Sequence, residues 1–238
     1  MKTFPLAVLL VALTACSSAT PYSTTTGSLS PGSTITVMAA DTQVNVYKPA
    51  AGEPPDRFTV AATALANHAI PSPPAARRAG NGIVVQAPSA LASLLVRAPD
   101  RVNIVVNDTG GSVNVTDISG NADIHTTNGD INVMVPGYAQ AATMKGSLAV
   151  TVGATQWPGT LHFFDGDGDM EIYIAATAKF RVHMHTDDGT LFTDFGLRGT
   201  SQGTSETIDG IINGGTTQNV DIEAKRGTIR LLRLAPQA

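Results

Sequence analysis

Gly111-Ser-Val-Asn-Val115, Gly120-Asn-Ala-Asp-Ile124 and Gly129-Asp-Ile-Asn-Val133 are three copies of one unit: a glycine, a small or polar residue, then apolar–any–apolar. The unit returns as Gly146-Ser-Leu-Ala-Val150, Gly159-Thr-Leu-His-Phe163, Gly168-Asp-Met-Glu-Ile172 and Gly227-Thr-Ile-Arg-Leu231, with a shorter copy at Gly189-Thr-Leu191. Phe180-Arg-Val-His-Met184 and Val220-Asp-Ile222 share the alternation without the leading glycine. A period of two places one face in a core and the other in water. Val113, Val115, Ile131, Val133, Leu161, Phe163, Met170, Ile172, Val182, Met184, Ile229 and Leu231 are therefore expected inward. Asn114, Asp123, Asn132, His162, Glu171, His183 and Arg230 are expected outward. Each glycine opens a strand where a turn needs positive φ or a close backbone approach.

Units this short, with one apolar face, must stack to be stable, which predicts an all-β, β-helix-like solenoid. The alternative is an antiparallel β-sandwich, whose strands also recur every 8 to 12 residues. About ten stacked rungs at roughly 4.8 Å each would give a rod some 45–50 Å long. Upstream, strand-like runs lie at 34–38, 44–47, 58–61, 83–86 and 94–97, and residues 62–70 and 89–95 read as short helices. The Pro-rich stretches 51–55 and 70–74 read as loops.

The composition fits a turn-dense extracytoplasmic β protein: charged residues are 14%, aromatics 5%, and there is one cysteine. The formal charge of −4 comes without a basic patch, so no nucleic-acid partner is expected. With so few charges and no clustered acid–base constellation, the chain is read as a non-enzyme.

Residues 1–15 read as a secretory signal, with Lys2 ahead of an apolar stretch too short to span a bilayer. Leu13-Thr14-Ala15-Cys16 resembles the lipobox of bacterial lipoproteins. That resemblance implies a diacylglyceryl group on the Cys16 thiol, cleavage before it, and N-acylation of the new amine. It implies a membrane partner through the lipid, and Ser17 resembles the sorting context for the outer membrane. Residues 16–33 are rich in Ser, Thr, Pro and Gly and are expected to be a tether, leaving 34–238 as one β-rich repeat domain. No cofactor is expected beyond the covalent lipid.

The run from Leu94 to Val115, with Ile118-Ser-Gly120, residues 127–133 and the closing Ala224-Lys-Arg-Gly-Thr-Ile-Arg-Leu231, resembles the bacterial putative-adhesin family of unknown function. The resemblance covers roughly 34–234 and implies a β-helix with no catalytic residue to carry over. The chain departs from the pattern at 134–158 and 196–219.

Other motifs carry less chemistry. Gly199-Thr-Ser201-Gln-Gly203 has the spacing of a nucleophile elbow, but no histidine follows it and 204–210 does not read as a helix. Asp165-Gly-Asp167-Gly-Asp169 is similar to a calcium loop but lacks Gly at its sixth position and Glu at its twelfth, so it reads as a turn with solvated acids. A surface calcium site with Asp187 and Asp188 is the alternative there. His183 and His185 share a strand face, with His162 outward on another strand. Such a pair can chelate zinc or copper, yet no third ligand is identifiable from spacing. These residues are weak metal candidates, and no metal is assigned.

Two functional readings follow. The first is an anchored envelope protein, non-enzymatic, presenting a solenoid face for adhesion or scaffolding to a glycan or an envelope protein. The second is a β-helix carbohydrate-active enzyme or glycan-binding module, with Asp169, Glu171 and Arg181 the nearest candidate residues.

Overall fold

The computed structural model describes residues 22–64, 72–87 and 91–235. The repeat unit folds as a rung with two strands, one in each of two facing ladders. The regular rungs are β2 (Thr34–Ala39) with β3 (Gln43–Tyr47), β8 (Asn103–Asp108) with β9 (Val113–Thr116), and β10 (Ala122–Thr126) with β11 (Ile131–Val135). They continue with β12 (Ala139–Thr143) and β13 (Leu148–Val152), then β14 (Thr160–Asp165) and β15 (Met170–Ala175). Two long strands, β16 (Phe180–Thr193) and β19 (Asn219–Leu234), each supply a whole rung by crossing from one ladder to the other. β6 (Gly82–Gln86) and β7 (Leu91–Arg97) make the rung at the opposite end.

All eight rungs pair in parallel, which settles the architecture as a β-solenoid and not an antiparallel sandwich. The first ladder runs β6-β2-β8-β10-β12-β14-β19-β16. The second runs β7-β3-β9-β11-β13-β15-β19-β16. Antiparallel strands cover both ladders at one end and the first ladder at the other. At one end are β5 (Ala75–Ala79) on β6, β4 (Arg57–Ala64) on β7, and β1 (Tyr22–Ser28) on β4. At the other, β18 (Ser205–Ile212) pairs with β16 and β17 (Thr200–Gln202) with β18. These hairpins cover sheet edges that would otherwise offer unpaired backbone groups.

Order in space departs from order in the chain at both ends. The β2–β3 rung lies between β6–β7 and β8–β9, and the last strand, β19, lies between β14–β15 and β16. The buried Gln218 pins the entry of β19. Its Oε1 accepts the Trp157 N–H at 2.5 Å, and its amide donates to the carbonyls of Lys179 at 2.9 Å and Thr155 at 3.3 Å.

The alternation places every residue named as inward in the core, and every one named as outward outside it. Neighbouring rungs compensate in volume. Ala141 of β12 faces Phe163 of β14 in register, so the small side chain leaves room for the ring.

The corners between ladders follow one rule. The last inward residue of the first-ladder strand stands three positions before a glycine: Asp108 and Gly111, Thr126 and Gly129, Thr143 and Gly146, Asp165 and Gly168, Thr186 and Gly189, Ala224 and Gly227. A Cβ on any of these glycines would overlap the backbone of the corner beneath, so close approach, one of the two reasons anticipated, requires glycine at all six, and positive φ adds to it at Gly111, Gly129, Gly146 and Gly227. The corner residue turns inward and bonds the turn. Asp108 Oδ1 accepts the Gly110 N–H at 3.1 Å, Thr126 Oγ1 donates to the Asn128 carbonyl at 3.2 Å, and Asp165 Oδ1 accepts the Asp167 N–H at 3.0 Å.

Several expectations are corrected. Residues 22–28, assigned to the tether, form β1, because a threonine run has β propensity that its linker-like composition hides. Residues 16–21, including Cys16, lie outside the described residues. The two expected helices are strands where described: 62–64 belong to β4 and 91–95 to β7, cross-strand pairing overriding the helix preference of Ala and Leu. Residues 134–158, read as irregular, contain the regular β12–β13 rung. Residues 196–219 do leave the repeat, forming the β17–β18 hairpin.

Candidate functional site

The outward residues of the first ladder stack into rows, one residue per rung. One row holds Asp123, Gln140, His162, Asp221, His183 and Asp209, from β10, β12, β14, β19, β16 and β18. The next row, two residues along each strand, holds Asn107, His125, Ala142, Phe164, Glu223, His185 and Thr207. All four histidines among the described residues lie in these two rows, and each sits against a carboxylate.

His125 Nε2 is 2.9 Å from Asp123 Oδ1, and His162 Nδ1 is 3.5 Å from Asp221 Oδ2. His183 Nδ1 is 2.7 Å from Asp209 Oδ1, and His185 Nε2 is 3.0 Å from Asp187 Oδ1. For Asp123, burial pulls the carboxyl pKa upward, but hydrogen bonds from His125 and Gln140 outweigh it and the net shift is down. The same hydrogen bond from Asp123 raises the His125 pKa, against a smaller opposing effect of burial. The His183 and His185 rings stack, 6.4 Å between centroids and 7° from parallel.

At the C-terminal end of the rows lies an open depression of about 560 Å³, lined by Thr160, Arg181, His183, Asp209, Asn219 and Asp221 among others. One donor atom each from His183 and Asp221, which line it, and from Glu223 lies within 4.8 Å of the other two. No other group of three or more such side chains gathers among the described residues. The partners of His183 that sequence spacing could not supply, Asp221 and Glu223, both come from β19, placed beside β16 by the displaced rung order, and His185 is not among them. Val220-Asp-Ile222 alternates, so the outward direction of Asp221 follows from the sequence; its neighbour does not.

The other sequence candidates are dispersed. Asp165 is fully buried at its corner, not solvated as a turn acid, while Asp167 and Asp169 are exposed. The alternation through Leu161 and Phe163 carries Asp165 inward. Burial pushes its pKa up to about 6, aided by the charges of Asp167, Asp169 and Asp130 and opposed by the Asp167 N–H. Asp167 pairs with Arg226 at 3.4 Å, and Asp187 with His185. Ser201 sits exposed in β17, within a hairpin and not at a strand-to-helix elbow. Glu171 lies on the outer face of the second ladder, bound to Arg230 at 2.9 Å, whereas Arg181 lies on that of the first.

Residues 100–232 match the family model described as Toastrack DUF4097. The chain belongs to the Toastrack DUF4097 family. The Toastrack match spans the rungs from β8 to β19 and contains the whole His183–Asp221–Glu223 cluster. Among solved structures, a "putative cell adhesion protein" from Clostridium sporogenes ATCC 15579 is similar with a TM-score of 0.52 at 9% identity, over 90% of this chain and 100% of that one. A "putative adhesin" from Bacteroides fragilis NCTC 9343 gives 0.28 at 6% identity, covering 91% and 98%. The Clostridium likeness is one of fold. No curated protein matches the sequence.

Proposed function

We propose that this Toastrack protein is a non-enzymatic envelope lipoprotein that presents its solenoid faces for adhesion or scaffolding. The observation that carries the reading is the fold shared, over 90% of this chain, with the Clostridium protein described as a putative cell adhesion protein. The lipobox-like Leu13-Thr14-Ala15-Cys16 supports the location: a lipid-anchored end at the outer membrane. Two or three acyl chains hold persistently where one is marginal. The first ladder's outer face, regular along the rungs and lined with His, Asp and Asn, suits polar recognition of a glycan or an envelope protein.

Labelling cells with radioactive palmitate tests the anchor. The wild-type chain is expected to take up label and sediment with membranes, and Cys16→Ala to do neither; unlabelled wild-type protein would refute it. Binding is tested with purified protein on peptidoglycan and glycan panels and by cross-linking in cells. A partner whose capture is lost in Asp123→Lys is the expected result. No saturable binding on any of them, or capture indifferent to both outer faces, would count against adhesion.

A further inference from the structure

We propose that His183, Asp221 and Glu223 form a site for a divalent transition-metal ion, with Zn²⁺ the best-suited occupant. Imidazole together with carboxylate oxygens is a donor set that suits zinc. Three features beyond the 4.8 Å clustering point to a ligand. Asp209 holds His183 Nδ1 at 2.7 Å, which leaves Nε2 as the ring nitrogen with a free lone pair. A carboxylate on the far nitrogen is the arrangement that orients metal-ligating histidines and raises their basicity. Asp221 Oδ1 is shielded from solvent and has no hydrogen-bond partner, a deficit that a cation would satisfy. His162, with Nδ1 3.5 Å from Asp221 Oδ2, stands within reach as a fourth donor.

The surroundings favour a cation. Asp221 and Glu223 point out from the same face of β19, so their charges repel until a positive ion lies between them. Arg181 is the opposing charge lining the depression, and Asp209 on β18 offsets it. His185 is committed elsewhere: Nδ1 lies 3.0 Å from Thr207 Oγ1 and Nε2 3.0 Å from Asp187 Oδ1. The ligands stand on strands paired along both ladders, so their backbones are fixed. Donor atoms of a tetrahedral site with bonds near 2.0 Å are about 3.3 Å apart. Rotation of the exposed Glu223 side chain, with His183 kept on Asp209, brings the donors together without moving a strand.

The test is calorimetric titration of tag-free, chelator-stripped protein with ZnCl₂. One equivalent is expected to bind, and Co²⁺ in its place is expected to give the intense visible bands of a four-coordinate site. His183→Ala and Asp221→Asn should each weaken binding at least 30-fold. Asp209→Asn, which touches only the far nitrogen, should weaken it about 10-fold. His125→Gln, three rungs from β19 and four from β16 on the same face, should change nothing. Each variant is checked for an unchanged metal-free unfolding midpoint. Should His183→Ala unfold, the near-isosteric Asp221→Asn carries the test. Stoichiometry far below one, or equal affinity in wild type and Asp221→Asn, would overturn the site, and adhesion by the other rows would be unaffected by that failure.

Discussion

Two rows of the first ladder lie one residue apart on every strand and obey different rules. The inward corner row reads Asp108, Thr126, Thr143, Asp165, Ala224 and Thr186 along the stack. The outward row beside it reads Asn107, His125, Ala142, Phe164, Glu223 and His185. The first admits only short side chains, because each must fit beneath the next corner and most bond their own turn. The second spans aromatic, acidic, basic and small residues. Stacking therefore dictates the interior rung by rung and leaves the outer rows free to differ in chemistry.

The strongest way to break this contrast is to put a methyl into the corner column. Gly146 has φ +142° and abuts the Gly129 carbonyl, so Gly146→Ala forces two rungs apart. A loss of about 4 kcal/mol or more, or failure to fold, is expected in urea unfolding. Gly159 also has positive φ, at +70°, but nothing lies within 4 Å of the position a Cβ would take. Gly159→Ala should cost only about 1–2 kcal/mol, the backbone penalty alone. Equal losses at the two sites would show that conformation, and not stacking, selects the glycines.

A charge in the corner row is the next largest effect. Asp165 has a folded pKa of about 6, above its unfolded value, so the native state binds the extra proton. Its favourable contribution is complete below about pH 4 and is lost as pH rises to 6, a change on the order of 3 kcal/mol. Asp165→Asn keeps the oxygen that accepts the Asp167 N–H and cannot ionise. The variant should match wild type near pH 4 and exceed it above pH 6.5. A difference independent of pH between those limits would place the charge of Asp165 in water.

Asp165, taken from the sequence as a solvated turn acid, is buried. Period two extends from Leu161 and Phe163 to Asp165, yet Asp-Gly-Asp-Gly-Asp has the composition of a solvated turn, and composition misleads where the alternation does not. β12 was missed for a related reason: Ala139 and Ala141 carry too little apolar contrast to announce a strand, and their role appears only against Phe163. The inward and outward sets needed only local alternation, so they could be read directly. The metal-ligand cluster needed β19 beside β16, an insertion against chain order. No spacing encodes that, so His183 was visible as a candidate while Asp221, Glu223 and Asp209 were not.

The sharpest form of the comparison uses two adjacent residues of β10. Thr126 is buried and donates to the Asn128 carbonyl at 3.2 Å. Thr126→Val keeps its shape and removes that hydrogen bond, at a cost of about 1 kcal/mol. His125, one position earlier, faces out and is half exposed. Its pKa is raised by Asp123, so the pair contributes below the unfolded histidine pKa and fades as pH rises through the folded one. Exposure screens that contribution, so His125→Gln should stay within about 0.5 kcal/mol of wild type at pH 7.5, with a slightly larger loss at pH 5. If instead His125→Gln were as costly as Thr126→Val at pH 7.5, the outer row would be part of the framework, and the freedom attributed to it would belong to the second ladder alone.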